Sequence, residues 1–176
     1  MPELHSAVEK LNRAQADILR AADAVAASDW STPPDANSWS AAYLVAHLCQ
    51  VERGVLTYAD RVIRKTSLHV PRFKRLHFPV AIVETRWIRR KSPIPLDQEL
   101  LANKETMLAG LRGVRERTLA FLDETRERDL SVYYWRHPFL GKLNFYNWFT
   151  FVAAHQIRHT KQMVEIGQNL PKAVVA

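Results

Sequence analysis

Two of this chain's seven histidines, His155 and His159, stand four residues apart in a stretch that reads as a helix. Phe145, Trp148, Val152, His155, His159, Gln162 and Ile166 recur at alternating steps of three and four, which places all seven on one helical stripe. The stripe is apolar at both ends and carries imidazoles in the middle. A ring turned toward a core needs a partner, because a buried unsatisfied polar group costs about 1–3 kcal/mol. One explanation serves both rings: histidines on adjacent turns present two nitrogens to one metal ion. The plainer alternative is a pair of histidines at the core edge, each bonded to its own backbone or side-chain acceptor. A third ligand would separate the two.

His47 is the candidate. It lies in a second helical stretch whose core face carries Leu44, Leu48, Val51, Val55, Ala59 and Val62, and it flanks that face. Three neutral nitrogens with a position left open form the ligand set of a catalytic zinc or nickel site rather than a closed structural one. Cys49, two residues on, is turned about 160° from His47 and reads as a small packing residue. Glu52 is the nearest carboxylate and could orient an imidazole or a bound water. Five residues is about 140° of rotation, however, so a surface carboxylate paired with a lysine or arginine is the better reading. Where zinc metalloproteases of the HExxH type carry a glutamate as base, this chain has Gln156, which argues against a protease. His137, in a His-Pro-x-x-Gly stretch, reads as turn structure, and His5, His69 and His77 as surface.

The elements that must position these residues are helical. Glu3 to about Ser28 repeats Leu4, Val8, Leu11, Gln15, Ile18, Ala22 and Val25 on one face. Residues 29–37, with Pro33-Pro34, break it, and Asn37 or Ser38 can cap the next helix, Ser40 to Arg64. Thr66 to Pro95 is irregular, proline-interrupted and basic, with a short helix expected from Phe78 to Trp87. So long a connection inside a domain suggests function or mobility, as a pocket wall or a dimer surface, or else a basic solvated face. A third helix runs from about Asp97 to Glu127, an aromatic loop from Asp129 to Leu143, and the histidine helix from Asn144 to Gly167. No strand pattern competes. The fold class is all-α, a four-helix bundle, with one domain over residues 1–170 and a tail at 171–176.

A single cysteine excludes an intramolecular disulfide, and no apolar run approaches the ~18 residues of a membrane span, so a cytoplasmic protein without membrane partners is expected. Lysine and arginine exceed aspartate and glutamate by 25 − 18 = 7, and the pI is about 9.8. That balance draws anions in general. With no helix-turn-helix, zinc-finger or RNA-binding signature, nucleic acid is not the expected partner.

Trp39-Ser40 with His47-Leu48, then His137-Pro138-Phe139-Leu140-Gly141-Lys142-Leu143, Trp148 and the run His155-Gln156-Ile157-Arg158-His159-Thr160-Lys161-Gln162 together resemble the DinB/YfiT-like metal-binding four-helix bundles. The 66–95 segment has no counterpart in that pattern. The resemblance implies a three-histidine centre for zinc or nickel on His47, His155 and His159, a homodimer, and a small-molecule substrate. Members with known activity include thiol S-transferases and a maleylpyruvate isomerase that use low-molecular-weight thiols. The function expected is therefore a metal-dependent thiol S-transferase or related hydrolase. The alternative is a non-enzymatic metal-binding bundle that serves as a binding or sensory module.

Overall fold

The computed structural model describes residues 2–64, 83 and 95–170. Four long helices dominate it: α1 (Pro2–Asp23), α2 (Ala41–Ile63), α3 (Lys104–Glu124) and α4 (Phe145–Asn169). A two-stranded antiparallel hairpin, β1 (Tyr134–His137) and β2 (Gly141–Asn144), precedes α4. The chain is an all-α four-helix bundle with this small appendage.

Local sequence sets the helix starts. Pro2 opens α1, where a missing amide hydrogen costs nothing. Ser40, Asn103 and Asn144 cap the other three, each side-chain oxygen accepting the amide three residues on, from Tyr43, Thr106 and Asn147. Such caps contribute about 1 kcal/mol each. Neither Asn37 nor Ser38 caps α2; the Ser38 hydroxyl donates instead to Asp35 at 2.6 Å. The first helix stops at Asp23 rather than continuing to Ser28. Lys104 donates to the Val25 carbonyl at 2.6 Å just beyond its end, and a 3-10 turn at Ala27–Asp29 delivers Trp30 into the core. Likewise Gln98–Leu100 is a separate 3-10 turn, and α3 begins only after the Asn103 cap.

Two clusters of buried side chains fix the helix directions. One joins Ala7 and Leu11 of α1 to Val55, Ala59 and Val62 of α2, Leu122 of α3, and Phe145 and Phe149 of α4. The other joins Ile18 and Ala22 to Leu44 and Leu48, Met107 and Leu111, and Met163 and Ile166. Thus α1 and α4 run one way, and α2 and α3 the other. Packing pairs α1 with α4, α2 with α3, α2 with α4 and α1 with α3, so consecutive helices α1 and α2 stand on a diagonal. Because α2 and α3 are parallel, the chain must return the length of a 23-residue helix between them, about 34 Å. At about 3.5 Å per residue that takes some ten residues even when fully extended, so direction alone demands a long connection. The short helix expected at Phe78–Trp87 lies outside the described residues save for Val83, as do most of the basic segment and the 171–176 tail.

The hairpin corrects the expectation that no strand is present. Residues 138–140 turn the chain, and Gly141 takes φ +76°, where a side chain would be strained. Trp135 stacks on Trp148 at 5.1 Å and 8°, and the Trp148 indole donates to the Trp135 carbonyl at 3.3 Å. The hairpin thereby seats the first turn of the histidine helix.

Candidate metal centre

The three histidines picked out by spacing come together between α2 and α4. His155 Nε2 lies 3.3 Å from His47 Nε2 and 3.2 Å from His159 Nε2. One ligand atom from each falls within 4.8 Å of both others. Three imidazole nitrogens held at about 2.0–2.1 Å from one ion, at angles between octahedral and tetrahedral, would stand about 2.9–3.4 Å apart. Both of the His155 separations fall inside that window. Each ring turns one nitrogen, Nε2, toward the others, and three such atoms cannot all pair with one another, since each brings either a proton or a lone pair. The chemistry of this donor set fits a cation.

Each ring is held from behind. His159 Nδ1 pairs with the Gln162 Oε1 at 3.0 Å, which fixes the N–H on Nδ1 and turns the Nε2 lone pair toward the cluster. Trp39 stacks on His159 at 5.7 Å and 10° and meets His47 edge-on at 5.1 Å. Phe151 stacks on His155 at 5.5 Å. His47 and His159 are buried and His155 is half-buried. Burial pushes His47 down to about 4 and His155 well below the usual imidazole range, with His159 and His47 adding to the effect on His155. Both are therefore neutral near pH 7, the form that ligates metals.

His137 is not among the three. Its Nδ1 accepts the amides of Phe139 and Leu140, both at 3.1 Å, so it closes the hairpin turn, as its His-Pro-x-x-Gly setting implies. Cys49 is buried in the second cluster with its thiol pushed up to about 11 by burial, which suits packing and not nucleophilic attack. His5 is exposed beside Glu9; His69 and His77 lie outside the described residues.

Glu52 corrects the surface reading. Its carboxylate is buried and takes two bonds from Arg115 of α3, at 2.7 and 2.9 Å. The rotation that turns it from His47 aims it at α3, so the expected arginine partner is there but inside the bundle. Gln156 is buried beside it and accepts from Arg115 at 2.7 Å. Sequence reasoning missed Trp39 and Gln162 as supports of the rings. Gln162, one helical turn beyond His159, could have been found from its i+3 spacing; Trp39 approaches from the loop before α2, and nothing in its spacing points to the rings.

A cleft of about 460 Å³ opens beside Trp39, lined by Ser31, Asn37, Ser38, Ser40 and Tyr43 among others. That volume is on the scale of a small-molecule site.

Comparison with known proteins places the chain among relatives. The DinB superfamily profile matches residues 10–163. The uncharacterized protein YuaE of Bacillus subtilis (strain 168) is 25% identical over 142 residues, which cover 80% of this chain and 84% of that one. YfiT from Bacillus subtilis, described as a probable metal-dependent hydrolase with an unusual four-helix bundle topology, aligns with a TM-score of 0.65 at 16% identity. The alignment covers 94% of this chain and 86% of YfiT, and at that identity the likeness is one of fold.

Proposed function

We propose that this chain, which belongs to the DinB superfamily, binds one divalent transition-metal ion through His47, His155 and His159 and is a metal-dependent hydrolase acting on a small molecule. The observation that carries the reading is the approach of three ring nitrogens to within 4.8 Å of one another, with His155 Nε2 at 3.3 Å from His47 and 3.2 Å from His159. The description of YfiT as a probable metal-dependent hydrolase supports the reaction class. A bound zinc or nickel ion would supply a Lewis acid that lowers the pKa of a coordinated water or thiol. The chain's own residues do the rest. His47, His155 and His159 would hold the ion, Gln162 fixes the tautomer of His159, and Trp39 and Phe151 cover the rings.

Thiol S-transfer is the second reading, and a specific observation favours it. The ligating group formed by the described residues contains no carboxylate, and Glu52 is committed to Arg115, so among the described residues no carboxylate joins the cluster to take a proton from water. A thiol, already far more acidic than water, would lose its proton to solvent when held by the ion and so needs no protein base. The test is turnover by tag-free protein loaded with zinc or nickel. Small esters and amides would be offered, and electrophiles paired with cysteine-derived thiols. Hydrolysis of the esters or amides that disappears in His155→Ala supports the hydrolase. Activity seen only with a thiol present selects transfer, and no metal-dependent turnover in either panel contradicts the enzyme reading.

A further inference from the structure

A buried polar junction, one of whose members adjoins His155 in α4, contacts all four helices. The Arg115 guanidinium of α3 donates to both Glu52 oxygens of α2, to Gln156 Oε1 of α4 at 2.7 Å, and to the Leu11 carbonyl of α1. Gln156 in turn donates to Gln15 Oε1 of α1 at 3.0 Å. Glu52, Arg115 and Gln156 are each no more than 3% exposed. A buried ion pair is weak evidence for stability, because desolvation offsets most of the attraction, and its best-attested use is to fix register between helices.

Position supplies the register to be fixed. His47 and Glu52 share α2, and His155, Gln156 and His159 share α4. Gln156 follows His155 directly, about 100° around the helix, so a residue that holds Gln156 holds the rotation and height of His155. Apolar packing tolerates sliding and rotation between helices; a planar guanidinium clamped on a carboxylate and an amide does not. We infer that Arg115, Glu52 and Gln156 are positioning residues that lock α2 and α4 in the register at which His47 meets His155 and His159. The inference rests on the metal reading proposed above.

The test is affinity for Zn2+ and Ni2+, measured by competition with a chromophoric chelator on tag-free, folded protein well below its melting temperature. Gln156→Leu releases α4 from the junction while leaving the Glu52–Arg115 pair intact, and it is expected to weaken metal binding about tenfold with helical content unchanged. The exchange Glu52→Gln with Gln156→Glu keeps one carboxylate and one amide on Arg115 and is expected to bind within about threefold of wild type. The single change Glu52→Gln, which leaves Arg115 without a carboxylate, is expected to bind more weakly than the exchange. Val62→Ala, a destabilising change at the opposite end of α2 from His47, controls for general loosening and should leave affinity alone. The inference is overturned if Gln156→Leu binds as tightly as wild type, or if the exchange binds no better than Glu52→Gln. Should Gln156→Leu fail to fold, the exchange and the single change decide the question. If wild type itself bound no metal, the metal reading would fail first; tight binding in wild type and in Gln156→Leu alike would remove this inference alone.

Discussion

At the scale of single residues, the candidate centre was legible because helical spacing is a strong signal. His155 and His159 had to share a face, and His47 had to flank one. Roles set by contacts between distant residues were not legible, which is why Glu52 read as surface and Trp39 carried no role. Gln162→Leu removes the acceptor that fixes His159, and metal affinity should fall about 10- to 100-fold by chelator competition while the fold persists. The histidines also set a pH dependence in the metal-free protein. An unfolded imidazole takes a proton below about 6.5, whereas folded His47 and His137 do so only near 4. Between those values the unfolded state binds more protons, so the contribution of these two rings to stability falls as pH falls from 6.5 to 4 and levels off below. Melting temperatures at pH 7, 5.5 and 4 should follow that slope, and His137→Asn, which keeps an acceptor for the turn but does not titrate, should flatten it.

At the scale of elements, all four helices followed from periodicity, and their ends moved where side chains from elsewhere intervened. Asn103 restarts α3, Trp30 draws the chain after α1 inward, and Lys104 donates to carbonyls at and beyond the end of α1. The hairpin was missed although Tyr133-Tyr134-Trp135 and a Pro-x-x-Gly turn are strand and turn signals. With four residues to a strand, the pattern is too short to stand out against an aromatic loop. Gly141→Ala forces a side chain into a left-handed backbone and should cost about 1–2 kcal/mol in denaturant unfolding. Arg115→Met strands the Glu52 carboxylate inside the bundle and should cost about 3–5 kcal/mol by the same measurement. Adding Glu52→Leu to it should recover part of that loss, because no charge is then left buried.

At the scale of the whole molecule, the parallel placement of α2 and α3 was hidden in the sequence, since helix direction depends on which halves share a core. That placement turns a puzzling insertion between α2 and α3 into a geometric need. It also brings α2 against α4, the one pairing that unites His47 with His155 and His159. Fold and candidate centre thus depend on the same helix arrangement, and an ion bridging α2 and α4 would stabilise the folded state by mass action, by about 2.7 kcal/mol at a hundredfold excess over Kd. The most direct check is metal content per chain in tag-free protein after equilibration with zinc and gel filtration, for wild type and for His47→Ala, His155→Ala and His159→Ala. The account predicts about one ion per wild-type chain and a large loss in each variant. Wild-type protein that retains no zinc or nickel, or variants that keep as much as wild type, would contradict it.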